Sequence, residues 1–387
     1  MRRLLLLVSV LVLVDTMLYA ALTPLLPHFA HTLHLSKFGA GLLLASYAAG
    51  ALLGGLPGGR AAARLGPRRA VLIGLTLMGA SGVAFAFANS FDMLLAARVV
   101  QGAGSAFTWA GAFSWLTRCA PAERRGEMIG RAMGAAVLGE LLGPVIGVIS
   151  GSLGRSVVFS TVAGLSVVLG VLTAQIDVES ELEPVNVTLR SGLRERRFVD
   201  GLVLLAIGSS LFGVLAVLAP LHLAAAGWGT AAIGGVWLLG AAFEASESPL
   251  VGRLSDARGA LTPARLALLA AIPVSLALAT DASPAIYVPL VVLAGMSYGA
   301  LFTPSFSLVS QGAERAGLAQ GMAFGLMNAA WAVGAMAGPA AAGAIAGAVG
   351  DSTPFILAAL GCALALFLFR ARGAAPRRSV SVEARIP

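Results

Sequence analysis

The sequence predicts an all-α integral membrane protein, with twelve transmembrane helices in two pseudo-symmetric halves of six helices each. Three observations support this prediction: the composition, a series of long apolar runs and an internal repeat. Of the 387 residues, 58% are hydrophobic and only 11% are charged, and the mean hydropathy is +0.89. A soluble domain carries roughly 25% charged residues, so the composition excludes a soluble enzyme, a nucleic-acid-binding module and a disordered chain. The apolar runs are continuous rather than alternating, which argues against a β-barrel.

Apolar runs recur along the whole chain, and each is long enough for a spanning helix, which needs ~20 mostly apolar residues. We place them at 4–27, 38–57, 70–88, 93–117, 128–150, 155–175, 199–222, 230–250, 264–280, 284–309, 319–347 and 353–370. The first run follows Arg2 and Arg3, as a signal peptide would. It is too long for one and contains Asp15, so we expect it to be retained as the first span.

The distribution of basic residues predicts the orientation. The formal net charge is +8 and the pI is about 10.6, but the location of the charge matters more than its sum. With the N-terminus inside, Lys37 and Arg155 are the basic residues of the outer segments, and Arg98 lies within a span. Short loops rich in arginine stay in the cytoplasm, where anionic lipid attracts them. Both termini are therefore predicted to be cytoplasmic, and the charge indicates no nucleic-acid partner.

The longest polar stretch divides the chain into two halves. We predict an N-terminal six-helix bundle at 1–175, a cytoplasmic linker at 176–198, a C-terminal six-helix bundle at 199–370 and a basic cytoplasmic tail at 371–387. A chain with six spans on each side of a linker is the pattern expected of a duplicated membrane protein.

Glycine motifs repeat at nearly constant spacing in the two halves. The segment from Gly59 to Gly66 after the second span matches the segment from Gly252 to Gly259 after the eighth, 193 residues later. The segment from Gly139 to Gly147 in the fifth span matches that from Gly334 to Pro339 in the eleventh, 195 residues later. Pro24 and Pro220 repeat at an offset of 196. Repeated coincidences at one offset indicate a duplication.

The fifth span carries a face of small residues. Gly139, Gly143 and Gly147 recur every four residues, and such faces let membrane helices approach closely. Pro144 removes a backbone donor and is expected to kink the span. We expect this face to pack against the other half and to prevent leakage, with general helix packing as the alternative.

These motifs resemble those of the major facilitator superfamily, over essentially the whole chain. The loop after the second span is similar to that family's signature hairpin, and Leu95–Gly104 is similar to its fourth-span motif. The segment from Gly139 to Gly147 resembles the fifth-span motif of its 12-span drug:proton antiporters. Asp15, followed by the segment from Pro24 to Pro27, resembles the first span of those antiporters, including vesicular amine transporters. The resemblance implies the major facilitator fold and alternating access.

By resemblance, the hairpin and its repeat latch the two halves in one state, whereas a simple anchoring turn is the alternative. The conformational motif residues are Gly59, Arg64, Gly66, Arg68, Gly252, Asp256, Gly259, Gly139, Gly143, Pro144 and Gly147. Ala63 stands where the family has an aspartate, whereas the second copy keeps Asp256. We therefore expect the latch to depend mainly on the C-terminal copy.

Asp15 lies about midway along the first span, where a charge is costly unless it has a partner or faces a cavity. A proton or a cationic substrate can neutralise a carboxylate at that depth, and competition between the two is the simplest chemistry of exchange. A structural hydrogen bond to a neighbouring helix is the alternative.

Arg98 lies within the fourth span, and Gln101 follows three residues later on the same helical face. Because arginine stays charged, we expect Arg98 to change the pKa of a neighbouring acid rather than to carry the proton.

Three further acids lie within predicted spans. Glu244 and Glu247 share a helical face with each other and with Trp237, and two close carboxylates favour retention of a proton on one of them. Glu247 is close enough to the cytoplasmic end that it is either part of the site or simply solvated. Glu140 lies within the fifth-span glycine motif, and it either takes up a proton during the cycle or packs in the neutral form.

Aromatic and amide side chains near span centres are candidates for an adaptable apolar pocket. They are Trp109, Phe113, Trp237, Tyr298, Phe302, Asn328 and Trp331. His28, His31 and His34 are interpreted as a solvated loop run, and no metal site is predicted.

We predict a secondary active transporter, not an enzyme, that exports small lipophilic or cationic compounds in exchange for protons. Its partners are a small-molecule substrate, protons and membrane lipid, and its energy source is a proton gradient without a bound cofactor. We expect a monomer in the cell membrane, of bacterial origin. The alternatives are a sugar or metabolite exporter, which the segment from Phe243 to Pro249 faintly resembles, and a polytopic membrane enzyme or sensor.

Overall fold

The computed structural model describes residues 1–120, 125–176, 192–280, 282–318 and 320–373. These residues form fourteen helices and no strand. The helices are α1 (Arg2–Ala20), α2 (Leu22–Thr32), α3 (Lys37–Arg64), α4 (Pro67–Ala86), α5 (Phe91–Cys119), α6 (Arg125–Leu153), α7 (Arg155–Gln175), α8 (Arg196–Ala225), α9 (Thr230–Arg258), α10 (Leu261–Leu278), α11 (Pro284–Gly299), α12 (Phe302–Ala316), α13 (Gln320–Val349) and α14 (Ser352–Gly373).

Ten helical segments among the described residues are long and apolar enough to cross a membrane. The pairs α1–α2 and α11–α12 each count as one segment, Arg2–Thr32 and Pro284–Ala316. The two remaining long helices, α5 and α9, have 29 residues each and are less apolar, since they carry Arg98, Glu244 and Glu247. Most helices extend beyond the predicted apolar runs at one or both ends, because the helical backbone continues into the more polar flanking residues.

Two of the segments are interrupted where the sequence analysis predicts single runs. α1 ends at Ala20, and α11 ends at Gly299. Each break lies just before Pro24 or Pro304, and a proline ring clashes with the carbonyl group four residues earlier while its nitrogen donates no hydrogen bond. Those carbonyls belong to Ala20 and Ala300, which accounts for the position of each break.

The two halves, α1–α7 and α8–α14, use the same packing arrangement. A β-carbon on Gly139 would collide with Leu13 O and Thr16 Oγ1 of α1. A β-carbon on Gly334 would collide in the same way with the carbonyl oxygen of Ala206 in α8 and with a serine hydroxyl, that of Ser209. The internal repeat predicted from the glycine motifs is therefore visible as equivalent helix crossings.

Hairpins at equivalent positions also share their backbone conformation. Gly66 and Gly259 have φ angles of 90° and 82°, and Gly154 and Gly350 have φ angles of 93° and 96°. Only glycine adopts such angles without a steric penalty. The repeat thus preserves the turns as well as the helix crossings.

The face formed by Gly139, Gly143 and Gly147 packs on α1, within its own half. A β-carbon on Gly143 would meet Met17 O and Ala20, and one on Gly147 would meet Ala21 O. The expectation that this face packs against the other half is therefore wrong for this conformation. The spacing of glycines identifies a close crossing, but it does not identify the partner helix. Pro144 lies inside α6, which continues unbroken around it.

The first seam between the halves joins α3 to α13. The backbones touch there, because a β-carbon on Gly41 would collide with Pro339 O and one on Gly343 would collide with Lys37 O. The ammonium group of Lys37 also forms an ion pair with the carboxylate of Asp351, just before α14.

The second seam joins α6 to α9. Gly151 lies against Thr230, and Gly234 packs on Val148 and on the carbonyl group of Pro144. The α3–α13 and α6–α9 seams lie at the same end of the molecule, next to the connections after α2, α6, α8 and α13. We call this end the closed end.

Candidate functional site

The centre of the N-terminal half depends on a crossing in which α3 and α5 touch through glycines. A β-carbon on Gly50 would collide with Val99 O, and one on Gly102 would collide with Tyr47 O. Small residues permit this approach of two membrane helices. The crossing brings the side chain of Tyr47 next to polar residues of α5.

Asp15 of α1 is 1% exposed and lies at this crossing. Its Oδ2 accepts three hydrogen bonds, from the Ser105 hydroxyl at 2.7 Å, from Trp109 Nε1 at 2.7 Å and from the Tyr47 hydroxyl at 3.1 Å. We call these four residues the Asp15 network. Within the described part of the chain, Oδ1 of Asp15 has no hydrogen-bond partner. The carboxyl group therefore keeps one oxygen available for a proton or another donor.

Arg98 is 2% exposed, so its side chain does not extend to the membrane surface. Its Nη1 donates a hydrogen bond of 2.8 Å to Gln101 Oε1, and its guanidinium carbon lies 4.9 Å above the centre of the Tyr47 ring. Its Nε and Nη2 have no partner among the described residues. Tyr47 contacts both buried charges, since its hydroxyl group reaches Asp15 and the face of its ring reaches Arg98. The face of an aromatic ring attracts a cation, so the second contact stabilises the guanidinium group.

The sequence analysis identified Asp15, Trp109, Arg98 and Gln101, but it missed Tyr47 and Ser105. Ser105 had a detectable signal, because Arg98, Gln101, Ser105 and Trp109 follow one another at intervals of three or four residues and so form one polar helical face. Tyr47 had none, since its role depends on the glycine contact between α3 and α5.

Glu140 in α6 and Glu244 in α9 belong to opposite halves and are within electrostatic range of each other. The side chain of Glu140 is exposed, and that of Glu244 is partly buried. The two carboxylates are close enough to repel each other, and Glu140 is also within electrostatic range of the Tyr19 hydroxyl. The carboxyl group of Glu244 lies over Gly299 in α11, where a β-carbon would collide with it. We call the region between the halves at this level the vestibule.

Helical geometry places this pair beyond the α6–α9 seam. Gly234 contacts Val148 at the closed end. Glu140 is eight residues before Val148 and Glu244 is ten residues after Gly234, in helices that run in opposite directions. At a rise of about 1.5 Å per residue, Glu244 lies roughly 15 Å along α9 from Gly234. Glu140 lies roughly 12 Å along α6 from Val148 and about 6 Å from Pro144, the other residue that Gly234 meets, and both acids lie on the side away from the closed end.

Glu247 and Trp237 lie on the same helix as Glu244. Both side chains are partly buried. Within the described residues, Glu247 Oε1 and Trp237 Nε1 are buried without a hydrogen-bond partner. Glu247 is also within electrostatic range of Glu244, three residues earlier on the same helix.

Aromatic side chains of the predicted pocket lie in both halves. Trp109 stacks on Phe113 with ring centres 5.3 Å apart. Trp331 of α13 meets Tyr19 of α1 edge to face at 5.5 Å, which joins the two halves through an aromatic contact. Asn328 is exposed on the same helix as Trp331.

Two of the predicted pocket residues lie inside the C-terminal half instead. Tyr298 is 1% exposed, and its hydroxyl lies 2.8 Å from the Ser275 hydroxyl. Phe302 packs against Phe212 at 5.8 Å. In this conformation Tyr298 belongs to the packed core and does not line the vestibule.

The hairpin motif makes contacts within its own half. Arg68 donates a hydrogen bond to the carbonyl oxygen of Ala174, at the end of α7. Gly59 and Arg64 are exposed.

In the second copy of the motif, Gly252 is partly buried and Gly259 is exposed, but the side chain of Asp256 lies outside the described residues.

The described residues include no group of His, Cys, Asp and Glu side chains that could hold a metal ion. His28 and His31 are exposed on α2 rather than in a loop. Cys119 and Cys362 are free thiols.

Two helical bundles that close at one end over buried charges are the structure of a membrane transporter. The chain belongs to the Major Facilitator Superfamily, whose family profile matches residues 8–323. It is therefore a multi-pass membrane transporter and not an enzyme.

Individual relatives support the family and the fold. Over 75 residues the chain is 39% identical to an uncharacterized MFS-type transporter of Mycobacterium tuberculosis (strain ATCC 25618 / H37Rv), a match that covers 19% of this chain and 13% of that protein. The structure of a bacterial homologue of the human lysosomal transporter Spinster, inward-facing and unoccupied, matches with a TM-score of 0.76, 17% identity and 95% coverage of both chains. The nucleoside transporter NupG, as a mutant, matches with a TM-score of 0.74 and 14% identity, over 95% of this chain and 99% of that one. At these identities the likeness of the structures is one of fold.

Proposed function

We propose that this protein exports small lipophilic cations in exchange for protons, by alternating access. The proposal includes twelve spans, with α1–α2 as the first and α11–α12 as the tenth, and it places both termini in the cytoplasm. On that topology the closed end faces the outside, and the vestibule opens toward the cytoplasm. The proton gradient supplies the energy.

Asp15 is the observation that carries the proposal. A carboxyl group buried in a membrane protein is costly unless a cavity or partner compensates for it. Three uncharged donors converge on its Oδ2, whereas Oδ1 has no partner in the described residues. A group held in this way is stabilised as an anion by its donors and as a neutral acid by burial. It can therefore exchange a proton for an organic cation, which is the chemistry of antiport.

The charges that border the vestibule support a cationic substrate. Glu140 is exposed there and Glu244 partly so, whereas Arg98 is sealed from solvent. The half-buried rings of Trp109 and Trp331 offer faces to which an organic cation binds favourably. The resemblance of the first span to those of drug:proton antiporters supports the same assignment.

The proposal is tested by transport into inverted membrane vesicles with an imposed pH gradient, acidic inside. A fluorescent lipophilic cation is the probe, and a labelled nucleoside and a labelled sugar serve as uncharged competitors. We expect the wild-type protein to accumulate the cation and to lose this activity when a protonophore collapses the gradient. Accumulation that is indifferent to the gradient would disprove proton exchange, and uptake of the nucleoside or the sugar instead would disprove the substrate class.

The decisive variant is Asp15→Asn, which keeps the size of the side chain and an oxygen acceptor but removes the ionisable group. We expect gradient-driven transport to fall by at least about tenfold, equal to about 1.4 kcal/mol, with little change in thermal stability. Asp92→Asn is the matched control, because Asp92 is an exposed acid at the start of α5. Normal transport by Asp15→Asn would show that another group carries the proton.

A further inference from the structure

Lys37 is the only lysine in the sequence, and it lies at the first residue of α3. Its ammonium group pairs with the carboxylate of Asp351, which belongs to the opposite half. The backbone of Lys37 also touches Gly343 of α13, and Gly41, one turn further along α3, touches Pro339. The charge pair thus lies at the edge of the tightest contact between the two halves.

We propose that the Lys37–Asp351 ion pair is a reversible latch that holds the closed end shut. The proposal rests on the alternating-access transport proposed above, and it assigns to this pair the control of the outer entrance. When the halves rock, the α3–α13 contact has to separate, and the pair has to break with it. The latch therefore biases the transporter toward the conformation in which the vestibule faces the cytoplasm.

The surroundings of the pair indicate a latch that opens readily. The side chains of Lys37 and Asp351 are 41% and 45% exposed. Asp351 also borders a cavity of about 310 Å³ lined by His222, Tyr287 and Phe355, among others. Water therefore reaches the carboxylate, and solvent and salt weaken such an exposed pair. Its removal should change the balance of conformations only modestly, by roughly two- to fivefold, where fivefold equals about 1 kcal/mol.

The single lysine provides a direct readout of the latch. A membrane-impermeant, amine-reactive ester is applied from the outside to intact protein in membranes without substrate, and the modified peptide is identified by mass. We expect Asp351→Asn to raise the labelling rate of Lys37 by roughly two- to fivefold. Asp92→Asn removes the same charge from another exposed position, and we expect it to leave the rate unchanged.

Faster labelling of Lys37 could reflect only the loss of its local partner, so a second reporter lies in the other seam. Thr230 contacts Gly151 in the α6–α9 seam, and Thr230→Cys is introduced with Cys119→Ser and Cys362→Ala. If the pair is a latch, Asp351→Asn also raises the reaction of this thiol with an impermeant maleimide by the same factor. An unchanged thiol rate would overturn the latch.

Charge exchange completes the test. The variant Lys37→Asp should open the second seam as Asp351→Asn does, and the double variant Lys37→Asp with Asp351→Lys should return the thiol rate to that of the wild type. Failure of the double variant to restore the rate contradicts a charge latch. The labelling needs neither substrate nor a pH gradient, so the latch and the proton-coupled export succeed or fail separately.

Discussion

Equivalent positions in α1 and α8 differ in character. The position in the N-terminal half holds a charged residue, whereas the one in the C-terminal half lies in an apolar contact. The packing of Gly139 on Leu13 and of Gly334 on Ala206 sets an offset of 193 residues between α1 and α8, so Asp15 corresponds to Gly208. Asp15 has three donors around its Oδ2. A β-carbon on Gly208 would instead lie 3.4 Å from Leu301 Cβ and 3.6 Å from the carbonyl oxygen of Tyr298 in α11, at ordinary contact distances.

This difference shows that the duplicated scaffold and the ionic chemistry are separable. Both halves keep the glycine crossings and the turns, because these determine whether the helices pack. The N-terminal half alone places a carboxylate at this position. The buried charge is therefore a specialisation of one half on a scaffold that both halves share.

The largest expected effect comes from placing the missing carboxylate in the C-terminal half. Gly208→Asp puts an acid where a β-carbon would meet Leu301 and the carbonyl oxygen of Tyr298, and a buried charge without a partner costs about 3 kcal/mol or more. We expect a marked loss of thermal stability in detergent, as measured by a thermal-shift assay. Gly208→Ala is the control and should cost far less. Equal stability of the two variants would contradict the apolar character of this position.

A second prediction tests whether the two crossings are equivalent. Gly139→Ala and Gly334→Ala each place a methyl group against a backbone carbonyl, and overpacking of this kind costs about 1–3 kcal/mol. We expect the two variants to lower the melting temperature by similar amounts. Gly164→Ala, on α7 with open space around it, should be neutral or slightly stabilising. A large effect in only one half would break the symmetry inferred here.

The smallest effect is expected at the two hairpins. Gly66 and Gly259 combine positive φ angles with ψ angles of 153° and 148°, and no atom lies near the position of a β-carbon. Alanine there meets only backbone strain, of about 1 kcal/mol or more, because this region is essentially restricted to glycine. Gly66→Ala and Gly259→Ala should each reduce thermal stability slightly and equally. Gly55→Ala, inside α3 with open space around it, is the control and should not reduce stability. A much larger loss at one hairpin would indicate a contact that the turn conformation does not explain.

Much of the fold could be predicted from local patterns. The apolar runs correspond to the helices, and the glycine motifs from which an internal repeat was predicted lie at equivalent crossings in the two halves. The breaks near Ala20 and Ala300 were not predicted, although the prolines four residues later explain them. Pro144 and Pro339 lie inside unbroken helices, so a proline by itself does not locate a break.

The residues of the candidate site could be predicted only where the pattern within a single helix was sufficient to identify them. Asp15 is an isolated acid in an apolar run, and Arg98 and Gln101 share one helical face. The sequence therefore predicts all three as site residues. The role of Tyr47 depends on which helix crosses α5, and the face of Gly139 was assigned to the wrong partner for the same reason. Tyr298 lies near the middle of a span like the vestibule residues, but its contact with Ser275 places it in the core.

At Gly50 and Gly102 the backbones of α3 and α5 are in direct contact. No side chains lie between the two helices there that could rearrange when the helices move. Two helices packed so closely are expected to move as one rigid body, together with the side chains of Tyr47, Ser105 and Arg98. During rocking, the surroundings of Asp15 therefore stay constant apart from what arrives from the opposite bundle. The contact of Tyr19, in the same helix as Asp15, with Trp331 is a route by which a movement of the opposite bundle can reach this acid.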